Sequence, residues 1–373
     1  MKIAFYRSTS IGDVVLATAC VDLLRQIPVP VQITWVGRKP ALQLIASAFP
    51  EIKAVEVDPD QSNFQEKAVQ ELKDIHFLID LQTNLRSQLL CRALKRGHKI
   101  PSYVCYKRSI DRGTMIISSR LRGRRRALPD SYVVSAHHQF LIMTGALKQA
   151  LAVHLPVEML DGLDKIQAYP LLPTMHDSGQ KPWQKELKFG RWLAVATGAA
   201  HEAKKTPINL LRDILELLNR HLRQDPDMRD QSIGLLFVGN DKDRESALGI
   251  LDSIDWPGPV LNLAGKLSLW ETALALKDTD ALLCNDSGLL HVAEAVGTPV
   301  AALFGPTVEA FGFSPWRTES KAFSSLLGCR PCSKHGQLDC RFGDKLCFGL
   351  IQPPPIVDHL KTLMKRKTVN GSI

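Results

Sequence analysis

Short runs of apolar residues recur along this chain. They alternate with longer stretches in which apolar positions return every three or four residues. The first pattern is that of a strand buried on both faces, the second that of a helix with one apolar side. In the first half, strands are expected at residues 3–6, 31–36, 55–57 and 77–80. Helices are expected at 13–27, where Val14, Ala17, Val21 and Leu24 share a face, and at 40–48 and 65–72. A further helix spans 135–145 and stops at Gly145. The second half restarts the alternation, with strands at 192–196, 233–238, 260–263, 281–284 and 300–304. Its helices fall at 208–222, 246–251, 268–276, 289–296 and, opened by three prolines, 356–365. Such alternation builds a parallel sheet with helices on both faces, an α/β fold.

The breaks in this pattern mark domains. Residues 156–182 carry Pro, Gly and Asp without periodicity. An interdomain linker is expected at 161–188, between an N-terminal domain 1–160 and a C-terminal domain 189–352, with a final helix and tail at 353–373. A chain of 373 residues divides into two domains by default. No apolar run reaches the ~18–20 residues of a membrane span. The N-terminus opens on a strand without a signal-peptide pattern, so the expected location is the cytoplasm.

Charge narrows the partners. The net charge is +9 and the pI about 9.1, which favours nucleic acid, anionic lipid or a phosphorylated glycolipid. From Lys95 to Arg126 there are eleven Lys and Arg against one acid, Asp111. Residues 108–130 are poor in core positions and read as a mobile loop or helix pair on a rim. Only Tyr103 and Tyr106 interleave with the basic residues, and no nucleic-acid motif is present, so nucleic acid is not the expected partner.

Of eight cysteines, Cys20, Cys91, Cys105 and Cys284 read as buried thiols. Cys329, Cys332, Cys340 and Cys347 lie together in segment 329–347. In a reducing compartment that spacing suggests a structural zinc site more than disulfides, with free thiols or redox-labile pairs as the other reading.

The richest stretch is Asp286-Ser-Gly-Leu-Leu-His291, followed by residues 297–307. A strand ends, turn formers follow at 285–288, and a helix runs until Gly297 and Pro299 stop it. A Ser, a Gly and the first-turn amides of a helix thus stand at the carboxyl end of a strand, a place suited to phosphate. Asp286 and His291, five positions apart, can face one ligand. An ordinary N-cap would also explain Asp-Ser-Gly.

This run, with its Gly-x-Pro turn and Phe304-Gly-Pro-Thr307, resembles the family 9 glycosyltransferases, the ADP-heptose:lipopolysaccharide heptosyltransferase family. The resemblance implies a GT-B fold, two Rossmann-like parallel-sheet domains facing a cleft. It implies inverting transfer of heptose from ADP-heptose to an inner-core lipopolysaccharide acceptor, by a peripheral enzyme at the inner face of the cytoplasmic membrane. Gly12-Asp13, with Thr18 in the following helix, matches the family's Gly-Asp, whose Asp is the proposed general base. A helix N-terminus there would keep Asp13 ionised and weakly basic. In residues 197–207, Gly198, Ala199, Lys204 and Pro207 match the family's donor loop, whereas Thr197, Ala200 and Thr206 depart from it. Ala200 removes a hydroxyl that Thr197 could supply from nearby. Lys204, or Lys205 if the register shifts, would neutralise the diphosphate.

Asp243, past another strand end, is the expected ribose ligand. Leu267 would frame the adenine, with a plain N-cap at Ser268 as a compatible reading. Asp286 would bind sugar hydroxyls, Ser287 and Gly288 would offer amides to the phosphates, and His291 would donate to an oxygen. Asn84 and Arg86, within the family-like segment 80–87, and Lys107, Arg108 and Arg124 are expected on the acceptor side. No catalytic metal is expected. Asp58-Pro-Asp60 has the spacing of a metal motif but the wrong place for one. The alternatives are a GT-B transferase or epimerase using another nucleotide sugar and, from another class, a noncatalytic nucleotide-sugar or nucleic-acid-binding protein.

Overall fold

In the computed structural model of the chain, residues 1–365 are described apart from 58–63, 106–108, 134–137, 161, 176–178, 180, 188–189 and 230. Asp58, Asp60, Lys107 and Arg108 therefore lie outside the described residues. The chain forms two compact units. One comprises Met1–Arg108 and His137–Asp177, the other Ser109–Ala136 and Ser178–Ile373.

The first unit is built on five parallel strands, β1 (Lys2–Tyr6), β2 (Gln32–Gly37), β3 (Lys53–Glu56), β4 (Phe77–Asp80) and β5 (Ser102–Val104), in the order β3-β2-β1-β4-β5. The central strands are the apolar runs of the sequence. Ile3 to Tyr6 and Phe77 to Asp80 are buried throughout, as strands covered on both faces must be. The expected helix at 13–27 is two, Ile11–Ala17 and Ala19–Gln26. Thr18 stands between them, with its hydroxyl on the Val15 carbonyl at 2.7 Å. The helix expected to stop at Gly145 is Gln139–His154. Gly145 has open space beside it, and Leu147, Ala150 and Leu151 beyond it carry on the buried face.

The second unit holds six parallel strands, β6 (Arg191–Ala196), β7 (Ile233–Phe237), β8 (Val260–Asn262), β9 (Ala281–Asn285), β10 (Val300–Phe304) and β11 (Lys321–Ser324), in the order β11-β10-β9-β6-β7-β8. This is the doubly wound order with its reversal between β6 and β9. Helix Ile208–Gln224 buries Leu211, Ile214, Leu215 and Leu218 in the same core as Ile356, Val357 and Leu360 of helix Pro353–Lys365.

Two expected boundaries are corrected. Segment Ser109–Ala136 belongs to the second unit, not to a domain 1–160. Arg112 donates to the Phe311 carbonyl at 2.9 Å, and the Ser119 hydroxyl to the Pro331 carbonyl at 2.7 Å. Arg122 donates to the Gly328 and Arg330 carbonyls at 3.2 and 3.0 Å, and the Leu128 amide to Leu326 at 2.8 Å. The expected linker 161–188 is divided as well, since the unit boundary follows Asp177. The Tyr169 amide donates to Asp22 and the Leu171 amide to the Thr18 hydroxyl, each at 2.9 Å, which ties this stretch to the first unit.

Candidate active site

At the reversal point of the second sheet, the loops leaving β6 and β9 are stitched together by one amide. Asn285 accepts from the Thr206 amide at 3.0 Å and from its hydroxyl, and donates to the Thr197 and Gly198 carbonyls at 2.8 and 3.1 Å. Sequence reading missed Asn285 as this tie. It also explains Thr206, one of the departures from the family pattern. The next residue, Asp286, is 7% exposed. One of its oxygens lies 2.6 Å from the Lys204 ammonium and accepts from the Thr307 hydroxyl at 2.6 Å. Burial pushes the Asp286 pKa up, but Lys204, the Thr307 hydrogen bond and nearby His291 outweigh it and hold the carboxyl below its ordinary value. The group is therefore a carboxylate at neutral pH.

Ser287 is the N-cap of helix Gly288–Ala295, yet its side chain makes no capping bond. Its hydroxyl is shielded from solvent and has no hydrogen-bond partner among the described residues. Such a group costs about 1–3 kcal/mol unless something binds it. The first-turn amides of the same helix are free of intrahelical partners by construction. His291, one turn on, is 3% exposed and sits with its ring 6.2 Å from that of Phe313. The structure thus brings Lys204, Asp286, Ser287, Gly288 and His291 together at one sheet edge.

Other expected donor residues turn inward. Asp243 is 4% exposed and accepts from the Asn240 amide at 2.9 Å. A Cβ on Gly198 would lie 2.2 Å from its carboxylate, and one on Gly239, whose φ is +151°, 2.6 Å from it. Asp243, the expected ribose ligand, buttresses the loop here and accounts for Gly198. The Thr197 hydroxyl points to the Asp243 carbonyl at 3.5 Å. Leu267 is half-buried, and Ser268 beside it caps helix Leu269–Lys277 in a reciprocal pair with Glu271.

In the first unit, Asp13 lies in the first turn of its helix. Its carboxylate is 2.7 Å from the Arg7 guanidinium and accepts from the Ser10 hydroxyl at 2.9 Å. Burial raises its pKa, while Arg7 and Ser10 lower it more, so it stays below the ordinary value. Arg7, not the helix end alone, is the reason. The loop carrying these groups is tied to β4's end by Gln82, whose side-chain oxygen accepts from the Ser8 and Thr9 amides at 3.0 and 3.2 Å. From sequence Arg7 has no role, and Gln82 has only a place in the family-like segment 80–87. Asp80 accepts from the Gln82 and Thr83 amides at 2.9 Å each and from Ser87 at 2.7 Å, so it organises the loop.

Of the expected acceptor residues, Asn84 caps helix Leu85–His98, accepting from the Ser87 amide at 2.9 Å, and Arg86 is exposed. Arg124 is engaged elsewhere. It pairs with Asp344 and lies 3.9 Å over the Phe342 ring, inside the cysteine-rich segment. These contacts hold Arg124, expected on the acceptor side, within the second unit.

None of the eight cysteines is in a disulfide. Among the described residues, no group of three or more His, Cys, Asp or Glu side chains is arranged to hold a metal ion. The expected zinc site at Cys329, Cys332, Cys340 and Cys347 is not formed by these side chains. The Cys332 thiol turns to the Cys329 carbonyl at 3.6 Å, and Cys340 to Asp344 at 3.9 Å. Burial, and then the neighbouring thiols, push Cys332 up to about 12.

The profile of glycosyltransferase family 9 (heptosyltransferase) matches residues 193–340. The chain carries a family 9 glycosyltransferase domain. That domain contains the whole Lys204–Asp286–Thr307 cluster. Lipopolysaccharide heptosyltransferase 2 of Salmonella typhimurium is 34% identical over 137 residues, 36% of this chain and 38% of that one. The curated relatives are matched over 14% to 38% of their own length. Whole-chain likeness comes from solved structures. The family 9 glycosyl transferase of Veillonella parvula superposes with a TM-score of 0.67 at 17% identity, covering 97% of both chains. The E. coli ADP-heptose lps heptosyltransferase II does so with 0.62 at 18% identity, covering 98% of both. The family 9 domain and the sheet ahead of it thus share the GT-B-type fold of those enzymes.

Proposed function

We propose that this glycosyltransferase moves heptose from ADP-heptose to an anionic lipopolysaccharide-core acceptor with inversion at the anomeric carbon. The observation that carries the reading is the edge between β6 and β9. A cation, a carboxylate and an unpartnered hydroxyl converge there with a helix N-terminus, within a domain of heptosyltransferase family sequence. The Ser287 hydroxyl and the helix amides donate hydrogen bonds to the diphosphate, and Lys204 offsets the charge that grows on it as it leaves. These groups do the work that a divalent ion does in other transferases. Asp286 takes the hydroxyls of the sugar.

Asp13 of the first unit is the base. The acceptor oxygen attacks the anomeric carbon, the bond from that carbon to the phosphate oxygen breaks, and ADP departs with the electron pair. The acceptor proton passes to Asp13. Because Arg7 and Ser10 depress its pKa, Asp13 is a weak base, and transfer occurs late, when the attacking hydroxyl has become acidic.

The acceptor is a glycolipid in this reading, so the enzyme works at an anionic membrane surface on the cytoplasmic side. Among the described residues no helix is long and apolar enough to cross a membrane. Helix Ser109–Arg122 supports surface attachment instead. Ile117 and Leu121 are 62% and 83% exposed on one of its faces, beside exposed Arg120, Arg125 and Arg126.

The test is calorimetric titration with ADP, ADP-heptose and UDP-sugars, followed by ADP release with a lipopolysaccharide-core acceptor. ADP-heptose should bind at least about tenfold more tightly than any UDP-sugar, a difference of ~1.4 kcal/mol. Equal or stronger binding of UDP-sugars would remove the donor assignment.

A further inference from the structure

The three carbonyls of the turn that delivers Thr307 to Asp286 are all held by one short stretch. Arg330 donates to the Gly305 carbonyl at 2.6 Å and to the Thr307 carbonyl at 2.6 Å. The Cys332 amide donates to the Pro306 carbonyl at 2.9 Å. Arg330 is fully buried, and its remaining fork donates to the Ser325 carbonyl. The Glu309 carboxylate lies 3.9 Å away and accepts from Ser324 at 2.8 Å. A planar fork with fixed donor directions suits such a set of carbonyls, and a lysine ammonium does not reproduce it.

Four residues past Cys332, the same stretch touches the other partner of Asp286. Gly336 has a φ of +71°, and a Cβ there would come within 2.4 Å of the Lys204 Cγ and 2.7 Å of its Cδ. The stem of Lys204 therefore runs directly against the Gly336 backbone. Only the absence of a side chain leaves it room to reach Asp286.

We propose that segment 330–336 is the positioning wall of the nucleotide-sugar site: Arg330 sets the Thr307 turn, and Gly336 sets the course of the Lys204 side chain. The wall gives the cysteine-rich segment a role in donor binding that needs no metal. The identity of the ligand rests on the function proposed above; the coupling of the wall to Lys204 and Thr307 does not.

Two double-mutant cycles separate a positioning role from general support of the fold. Gly336→Ala should weaken ADP binding about tenfold or more in the wild-type background, the scale of one charge-assisted hydrogen bond. In a Lys204→Ala background, where the obstructed stem is absent, it should change ADP binding less than about twofold. Backbone strain from alanine at a left-handed position is common to both backgrounds and cancels. Arg330→Lys is paired in the same way with Thr307→Val. In Arg330→Lys the acid limb of ADP-heptose binding should move to higher pH, because Asp286, which takes the sugar hydroxyls, loses its Thr307 hydrogen bond, and Thr307→Val should abolish that further shift. Equal effects in both backgrounds, or unchanged pH profiles with only a lower Tm, would overturn the proposal. If the wild-type protein binds no ADP, the donor reading fails. The cycles are then read on urea unfolding free energies, where additivity overturns the wall and coupling upholds it.

Discussion

Replacing Lys204 by Met removes the cation from a buried pair and leaves the rest of the stem in place. Lys204 and Asp286 are 2.6 Å apart, with side chains only 15% and 9% exposed. At an effective dielectric of about 20 the attraction over that distance is ~6 kcal/mol, offset by the cost of desolvating both groups. Loss of one partner strands the other, so the variant should be destabilised by ~3–5 kcal/mol at neutral pH. The sign of the pH dependence follows from Asp286. In the wild type its pKa is depressed, so its contribution is present above the unfolded value and lost as pH falls through the folded one. In the variant, burial acts against the carboxylate with less opposition, and its pKa rises. Protonation then relieves the folded state, and the stability gap closes toward acid. Urea unfolding at pH 8 and pH 5 reads this directly. ADP titration should also show about 10- to 150-fold weaker binding, the range of a charge-assisted hydrogen bond. A stability gap of equal size at both pH values, together with an ADP Kd within about twofold of wild type, would refute the account of this site.

Asp13→Asn should lower kcat by ~10²–10⁴ while ADP binding stays unchanged, and turnover near wild type would exclude Asp13 as the base. Arg7→Met should shift the acid limb of kcat/KM to higher pH, since the main charge holding Asp13 down is gone; an unmoved limb would show that Arg7 does not set it. Glu294 is fully buried and burial raises it to about 7 despite the Trp316 and Arg317 amides. Its pKa is above the unfolded value, so its contribution is full below about pH 4.5 and lost as pH rises through about 7. Glu294→Gln should flatten that loss, ~3 kcal/mol by pH 8, in urea unfolding curves; identical pH profiles for both proteins would contradict it. Ile117→Asp with Leu121→Asp should reduce co-sedimentation with anionic vesicles while leaving ADP affinity intact, and unchanged sedimentation would detach this helix from membrane binding.

Local patterns were enough for much of the fold. The buried strands β1, β4, β6, β7, β9 and β10 are continuous apolar runs because both their faces are covered, and their order in sequence gives the parallel class. Helix Ile208–Gln224 was legible from its spacing, and the turn before helix Gly288–Ala295 from its Asp-Ser-Gly. Strands β5 and β11, three and four residues long, carry too few positions to show a period. The site residues Asp286, Ser287 and His291 could be nominated from one chain because they follow a strand end and open a helix, and Lys204 because residues 197–207 resemble the family's donor loop.

What decides their chemistry is contact between residues far apart in the chain, which leaves no periodic trace. Asn285 between two loops, Arg330 on the Thr307 turn and Gly336 against Lys204 all depend on which loops the sheet order brings together. The basic run shows the limit most plainly. By composition, 108–130 reads as a mobile loop or helix pair on a rim, yet Arg112, Arg122 and Arg124 spend their donors on carbonyls and a carboxylate of the second unit. A guanidinium satisfies its hydrogen bonds equally well in water or on a carbonyl, so its sequence is the same in either case. Only the folded neighbour determines which it does.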